Sequence, residues 1–196
     1  MKPNSFKNYI PNNQIKNSIK LSKRSKDIAW TVSHCKTFSR RENYVEEMKN
    51  TNSSLQIDIY GKCGKLYIPN YQPFDNLEDS YKKIAADHKF YLSFENQFCE
   101  DYITEKFFLA LKVDMIPIVN GGFSKQDYEN IAPPHSYIHV DDFSSAQELM
   151  DYLETLSEDS DAYNSYFWWK QYYQITSDVL TQSHFYSDND NLPIFI

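Results

Sequence analysis

The sequence predicts an α/β fold, a doubly wound parallel sheet with helices on both faces. Two observations carry that expectation. Short apolar runs of strand type at 28–33, 55–60, 89–94, 115–119 and 137–140 alternate with stretches of helical periodicity at 39–49, 77–87, 101–111 and 144–157. Strands that alternate with helices in this way imply a parallel sheet covered on both sides. The clearest stretch is 90–117, which reads as strand, polar turn, helix and second strand in immediate succession.

Composition narrows the function. At 196 residues the chain can bury a sizeable core, and its length suits one domain with extensions. A net charge of −7 and a pI near 5.2 argue against broad nucleic-acid binding and point to a small anionic partner. Cys35, Cys63 and Cys99 have no CxxC or Cys/His spacing, so zinc is not indicated; three thiols allow one pair plus one free thiol, and the sequence does not choose the pair. No GxSxG elbow, GxxxxGKS phosphate loop or HExxH pair is present. Asp159-Ser160-Asp161 and Asp188-Asn189-Asp190 match the bare Asp-x-Asp pattern of metal-dependent transferases, but both lie away from any strand end and read as solvated loops.

Taken in order, residues 1–26 are rich in Asn, Lys and Ser and read as a mobile leader or linker, with no apolar centre of the kind a secretory signal needs. The first strand follows at 28–33. The helix at 39–49 places Tyr44, Val45 and Met48 on one face and carries Arg41 in its first turn. On residue type alone Arg40 and Arg41 read as solvated surface side chains. Asn52-Ser53-Ser54 is a glycosylation sequon. Gly61 and Gly64 end the strand at 55–60, an irregular connection holds Pro69 and Pro73, and a helix at 77–87 leads into the central stretch. Pro117 is tolerable near a strand end, and Gly121-Gly122 allows a tight turn beside a ligand. A short helix at 124–130 precedes the last strand and the amphipathic helix at 144–157. Residues 161–174 are dense in Tyr and Trp, and a helix carrying Tyr163, Phe167, Trp168 and Tyr172 reads as packing rather than sugar stacking; the tail follows from 175.

Ligands of doubly wound sheets sit beyond the carboxyl ends of the strands. Arg41, Asn96, Tyr102, Glu105 and Lys106 all follow strands in this assignment, so one mouth collects them. With Asp101 as N-cap, the central helix would aim backbone N–H groups and its positive dipole end into that mouth, and Lys106 would add a mobile cation. Glu105 does not suit phosphate but can accept sugar hydroxyls or face a developing positive charge. Together these groups suggest a diphosphate joined to a sugar. Each also has a bland reading: Asn96 as a turn residue, Tyr102 as first-turn packing, Glu105 as a complement to the helix dipole.

The segments Phe94-Glu95-Asn96, Asp101-Tyr102-Ile103-Thr104-Glu105-Lys106-Phe107 and Pro133-Pro134-His135-Ser136-Tyr137-Ile138 resemble the donor-binding signature of the alpha-1,3-fucosyltransferases, glycosyltransferase family 10. Asp141-Asp142-Phe143, Tyr166-Phe167-Trp168-Trp169-Lys170, Ala29-Trp30-Thr31-Val32-Ser33 and Asp58-Ile59-Tyr60-Gly61-Lys62-Cys63-Gly64 agree in the same order. The resemblance implies a Rossmann-like C-terminal half of a two-domain (GT-B type) enzyme, with 1–26 as leader, 27–174 as the GDP-fucose-binding domain and 175–196 as a divergent tail. It implies GDP-fucose as donor with no cofactor required, a glycan acceptor held by an N-terminal domain lacking here, and a Golgi lumenal setting reached through an N-terminal anchor also lacking here.

Under the same resemblance Arg41 and Lys106 face the diphosphate, Asn96 and Tyr102 position the donor, and Glu105 is the catalytic group facing transition-state charge. The general base would lie in the other domain. The competing expectation is a non-catalytic nucleotide-sugar-binding remnant, favoured by His34 and Gln97 where relatives usually carry Asn and Ser.

Overall fold

The computed structural model describes residues 23–70, 76–97, 103–121, 124–175 and 186–187. Five parallel strands form its sheet: β1 (Lys26–Thr31), β2 (Ile57–Tyr60), β3 (His88–Phe94), β4 (Ile116–Asn120) and β5 (Ile138–His139), in spatial order β2-β1-β3-β4-β5. The chain moves outward from β1 to β2, then crosses back to β3, so the order reverses between β1 and β3. That reversal opens a crevice at their carboxyl ends.

Helices α1 (Arg41–Lys49), α2 (Leu77–Ala85), α3 (Glu105–Lys112), α4 (Lys125–Ile131), α5 (Ala146–Glu158) and α6 (Ser160–Ser165) make the connections, and β6 (Tyr173–Gln174) pairs antiparallel with β7 (Tyr186–Ser187). Alternation along the strands splits the core. Ile28, Trp30, Phe90, Leu92, Ile116 and Ile118 pack against Val45 and Met48 of α1 and Leu149 and Leu153 of α5. On the opposite face Ala29 and Tyr91 meet Tyr81 and Ile84 of α2 and Leu109 and Ala110 of α3. Truncating any one of these buried leucines to Ala costs roughly 2–5 kcal/mol. The doubly wound arrangement expected from the sequence is the one observed.

Four local expectations change. The first strand starts at Lys26, inside the expected leader, and Arg24 is already anchored through Nη1 to the Asp114 carbonyl (2.5 Å) and to Tyr163 Oη (3.0 Å). The central helix starts at Glu105 with Thr104 as N-cap in extended backbone, not at Asp101, which lies outside the described residues. The aromatic stretch is not one helix but α6 followed by a 3-10 turn at Trp168–Gln171, and it buries Tyr163, Phe167 and Trp169 as packing predicts. The carboxylate of Asp159 caps α6, accepting from the N–H groups of Asp161 and Ala162 at 2.9 Å each, so Asp159-Ser160-Asp161 is a helix start rather than a free loop.

Two details agree. β5 pairs only with Ile118 and Val119, so Pro117 stands beyond the end of that ladder and its missing N–H costs nothing there. Cys35 and Cys63 form a disulfide (S–S 2.06 Å), which ties the loop after β1 to the loop after β2, while Cys99 lies outside the described residues. No described helix is long and apolar enough to cross a membrane.

Candidate functional site

At the β1/β3 crevice the loop leading into α1 is fastened to three successive carbonyls at the end of β3. Arg41 donates through Nη1 to Phe94 O, Ser39 Oγ donates to Glu95 O (2.8 Å), and Ser39 N donates to Asn96 O (3.2 Å). Arg41 is 2 % exposed and its guanidinium lies 5.4 Å over the Trp30 ring. It is therefore no solvated surface arginine. Its neighbour Arg40 is, and takes a left-handed conformation (φ 52) to let the chain turn into the helix.

The far wall of the crevice is built around Glu95, whose side chain is 0 % exposed. Its Oε1 accepts from Thr104 N (3.0 Å) and Thr104 Oγ1 (2.7 Å), and its Oε2 accepts from Lys106 Nζ (3.1 Å). The same ammonium donates to Thr104 Oγ1 (2.6 Å) and lies 3.6 Å from Glu105 Oε1. Sequence reasoning treated Glu95 as one of several polar turn residues; instead it is the buried link between β3 and the first turn of α3. The signal for it is a carboxylate directly after a largely apolar strand and shortly before Thr-Glu-Lys at a helix start. Lys106 is correspondingly not the mobile cation expected, because the carboxylate that neutralises it also fixes it.

Glu105 is half-buried and stands toward the opening beside that ammonium. Asn96 Oδ1 is buried and has no hydrogen-bond partner among the described residues, so an acceptor waits at the crevice for a donor such as a hydroxyl. Tyr102 lies outside the described residues. The fold thus gathers Arg41, Asn96, Glu105 and Lys106 around one mouth, at different depths: Arg41 beneath it, Lys106 in its wall, Glu105 at its lip. A buried cation pair, an unsatisfied acceptor and a carboxylate in this arrangement can hold an anion joined to a polyol.

A cavity of about 610 Å³ lies elsewhere, along the outer side of β5. Its walls include Tyr137, His139, Phe143, Tyr152 and Tyr166, with Lys125 paired to Asp142 at one end. The two regions share a partition. The Tyr128 ring stands edge-on to His139 (5.6 Å) and beside Tyr137 (5.2 Å), while a Cβ placed on Gly121 would lie 3.8 Å from Tyr128 Oη and 3.2 Å from Glu95 Cγ. Burial raises the Tyr128 hydroxyl far above the ordinary phenol value, so it stays protonated. His135, at φ 56, is exposed as a whole, but its ring stacks on Tyr166 with centroids 4.0 Å apart, and desolvation there lowers its pKa below the usual imidazole value.

An open parallel sheet with helices on both faces defines a doubly wound α/β domain. The chain belongs to glycosyltransferase family 10: the model of the family's C-terminal (fucosyltransferase) region matches residues 21–191. That match runs through most of the tail expected to diverge. Alpha-(1,3)-fucosyltransferase C of Drosophila melanogaster is 41 % identical over 155 residues, covering 79 % of this chain and 34 % of that protein. Glycoprotein 3-alpha-L-fucosyltransferase A of the same organism is 45 % identical over 149 residues, covering 75 % and 28 %. The chain therefore spans about a third of the length of such relatives. A solved alpha1,3-fucosyltransferase with GDP-fucose superposes with a TM-score of 0.55 at 22 % identity, over 75 % of this chain and 39 % of that one, which bears out the fold.

Proposed function

We propose that this chain forms the GDP-fucose-binding part of an α-1,3-fucosyltransferase, acting on N-acetylglucosamine-containing glycans with inversion at the fucose carbon. The observation that carries the reading is the switch-point mouth of a family 10 fold, where Lys106, Asn96 and Glu105 meet. Relatives that carry the fucosyltransferase name and a solved relative holding GDP-fucose support the donor.

In this reading the bond between fucose C1 and the diphosphate oxygen breaks as the acceptor hydroxyl attacks C1. The departing GDP takes the electron pair, and the hydroxyl proton passes to a general base. Lys106 stabilises the charge on the leaving diphosphate directly, and Arg41 contributes its field from below. Glu105 faces the cationic sugar ring of the transition state, and Asn96 accepts from a donor hydroxyl; Tyr102 takes the neighbouring positioning role. No metal ion enters the scheme.

A Golgi lumenal setting completes the proposal, and the Cys35–Cys63 disulfide supports it, since such bonds persist in oxidising compartments. Calorimetric titration of GDP-fucose into the folded chain tests the donor site, with Lys106→Ala as the paired control. Binding that weakens at least tenfold in the variant is expected; no heat from a folded unsubstituted chain would overturn the reading.

A further inference from the structure

We propose that Glu95 is the positioning residue of this mouth: it fixes the Lys106 ammonium and the first turn of α3 in the geometry that receives a nucleoside diphosphate. The diphosphate rests on the function proposed above. The positioning itself rests on the structure alone.

Lysine is a poor fixed charge, because its flexible four-carbon stem leaves the ammonium many rotamers to occupy. Lys106 overcomes this by having two acceptors set in place before any ligand arrives, Glu95 Oε2 at 3.1 Å and Thr104 Oγ1 at 2.6 Å. Both lead back to one group, since Thr104 is itself held by Glu95 Oε1 through its N–H and its hydroxyl. Glu95 in turn cannot drift. Its N–H donates to Asn120 O (2.9 Å), its carbonyl accepts from Ser39 Oγ (2.8 Å), and its side chain lies against the bare Cα of Gly121. A Cβ at 121 would stand 3.2 Å from Glu95 Cγ and 3.4 Å from its Cβ, tighter than ordinary packing. The carboxylate thus joins β3, β4, the loop before α1 and the start of α3, and Lys106 points where that junction directs it.

Glutamine at 95 keeps the shape but replaces one of the two oxygens by an NH2 donor, so Thr104 and Lys106 can no longer each have an acceptor oxygen of their own. The experiment has two arms. Without ligand, the acylation rate of Lys106 by an N-hydroxysuccinimide ester, read by peptide mass spectrometry, should rise several-fold in Glu95→Gln; an unchanged rate overturns the proposal whatever the chain binds.

With ligand, GDP affinity by calorimetry should fall about tenfold in Glu95→Gln and fall no further in Glu95→Gln/Lys106→Ala than in Lys106→Ala alone. Losses that add, or a Glu95→Gln chain that binds GDP as tightly as the unsubstituted one or tighter, overturn it. If the unsubstituted chain binds no GDP while the acylation rate still responds, the donor reading fails and the positioning role stands. Should Glu95→Gln not fold, Gly121→Ala displaces the same carboxylate without changing any charge, and both readouts should move in the same direction by a smaller factor; unmoved readouts there count against the proposal.

Discussion

The mouth between β1 and β3 and the cleft along β5 sit on either side of Tyr128, yet they are built by opposite means. In the mouth Arg41 and Glu95 are buried, Lys106 is already paired, and the two sides are stitched backbone to side chain. In the cleft, about 610 Å³, the Lys125–Asp142 pair stands in solvent, where such pairs contribute little. A site that must hold one charged group in one place gains from preorganisation more than from room.

The disulfide offers the largest test of that contrast. Cys35–Cys63 closes a loop with a sequence separation of 28 and pins the approach to α1, whereas no disulfide among the described residues touches the cleft. Replacing both cysteines by Ser should cost about 2–4 kcal/mol of stability, measured by denaturant unfolding under non-reducing conditions. GDP affinity should fall with it if the loop needs the pin. Unchanged affinity would show that the bonds to residues 94–96 suffice.

The adjacent arginines give the next effect. Arg41→Ala leaves the Phe94 carbonyl without its charged donor and uncovers the Trp30 face, so about 2–3 kcal/mol should be lost, lowering the melting temperature by about 5–10 °C. Arg40→Gly relieves the left-handed strain at φ 52 and should leave the melting temperature unchanged or slightly raised. Equal losses at the two positions would break the distinction between a buried support and a surface neighbour.

This pair also shows what was legible in the sequence. The strand–helix alternation is a property of periodicity, so the sheet and the carboxyl ends of its strands could be read directly, and with them that Arg41, Asn96, Glu105 and Lys106 follow strands. Depth could not be read. Whether an arginine after a strand lies under the site or over it depends on which carbonyls the tertiary fold brings within its reach, and Phe94 is far from Arg41 in sequence. Glu95 was missed for the same reason, since a carboxylate in a polar turn looks solvated until Thr104 and Lys106 fold over it. The start of the central helix was placed too early because Asp101 is a good cap by type, whereas the anchoring of Thr104 to Glu95 fixes the start one turn later.

On the cleft side Tyr152→Phe removes the hydroxyl contact with Tyr166 (2.5 Å) and keeps the ring stacked near Phe143 (5.3 Å). About 1 kcal/mol of stability should be lost, with GDP affinity unchanged. A parallel loss of affinity would show that the Tyr128 partition transmits between the two regions, and that they act as one site.

The smallest effect concerns pH. His135 stays neutral more readily in the folded chain than in the unfolded one, because desolvation of its ring against Tyr166 disfavours its cation. Its folded pKa lies below the unfolded value near 6.5, so the unfolded chain takes up the proton first as pH falls. Stability contributed by the neutral ring is thus complete above that value, declines below it, and levels off once the folded form is protonated too. His135→Asn tolerates the left-handed backbone and removes the titrating group. Melting measured at pH 7.5 and pH 5 should show a smaller acid-side drop in the variant, while GDP affinity at pH 7.5 stays as it was. An equal drop in both chains would place the acid sensitivity elsewhere, and a change in GDP affinity would again join the cleft to the mouth.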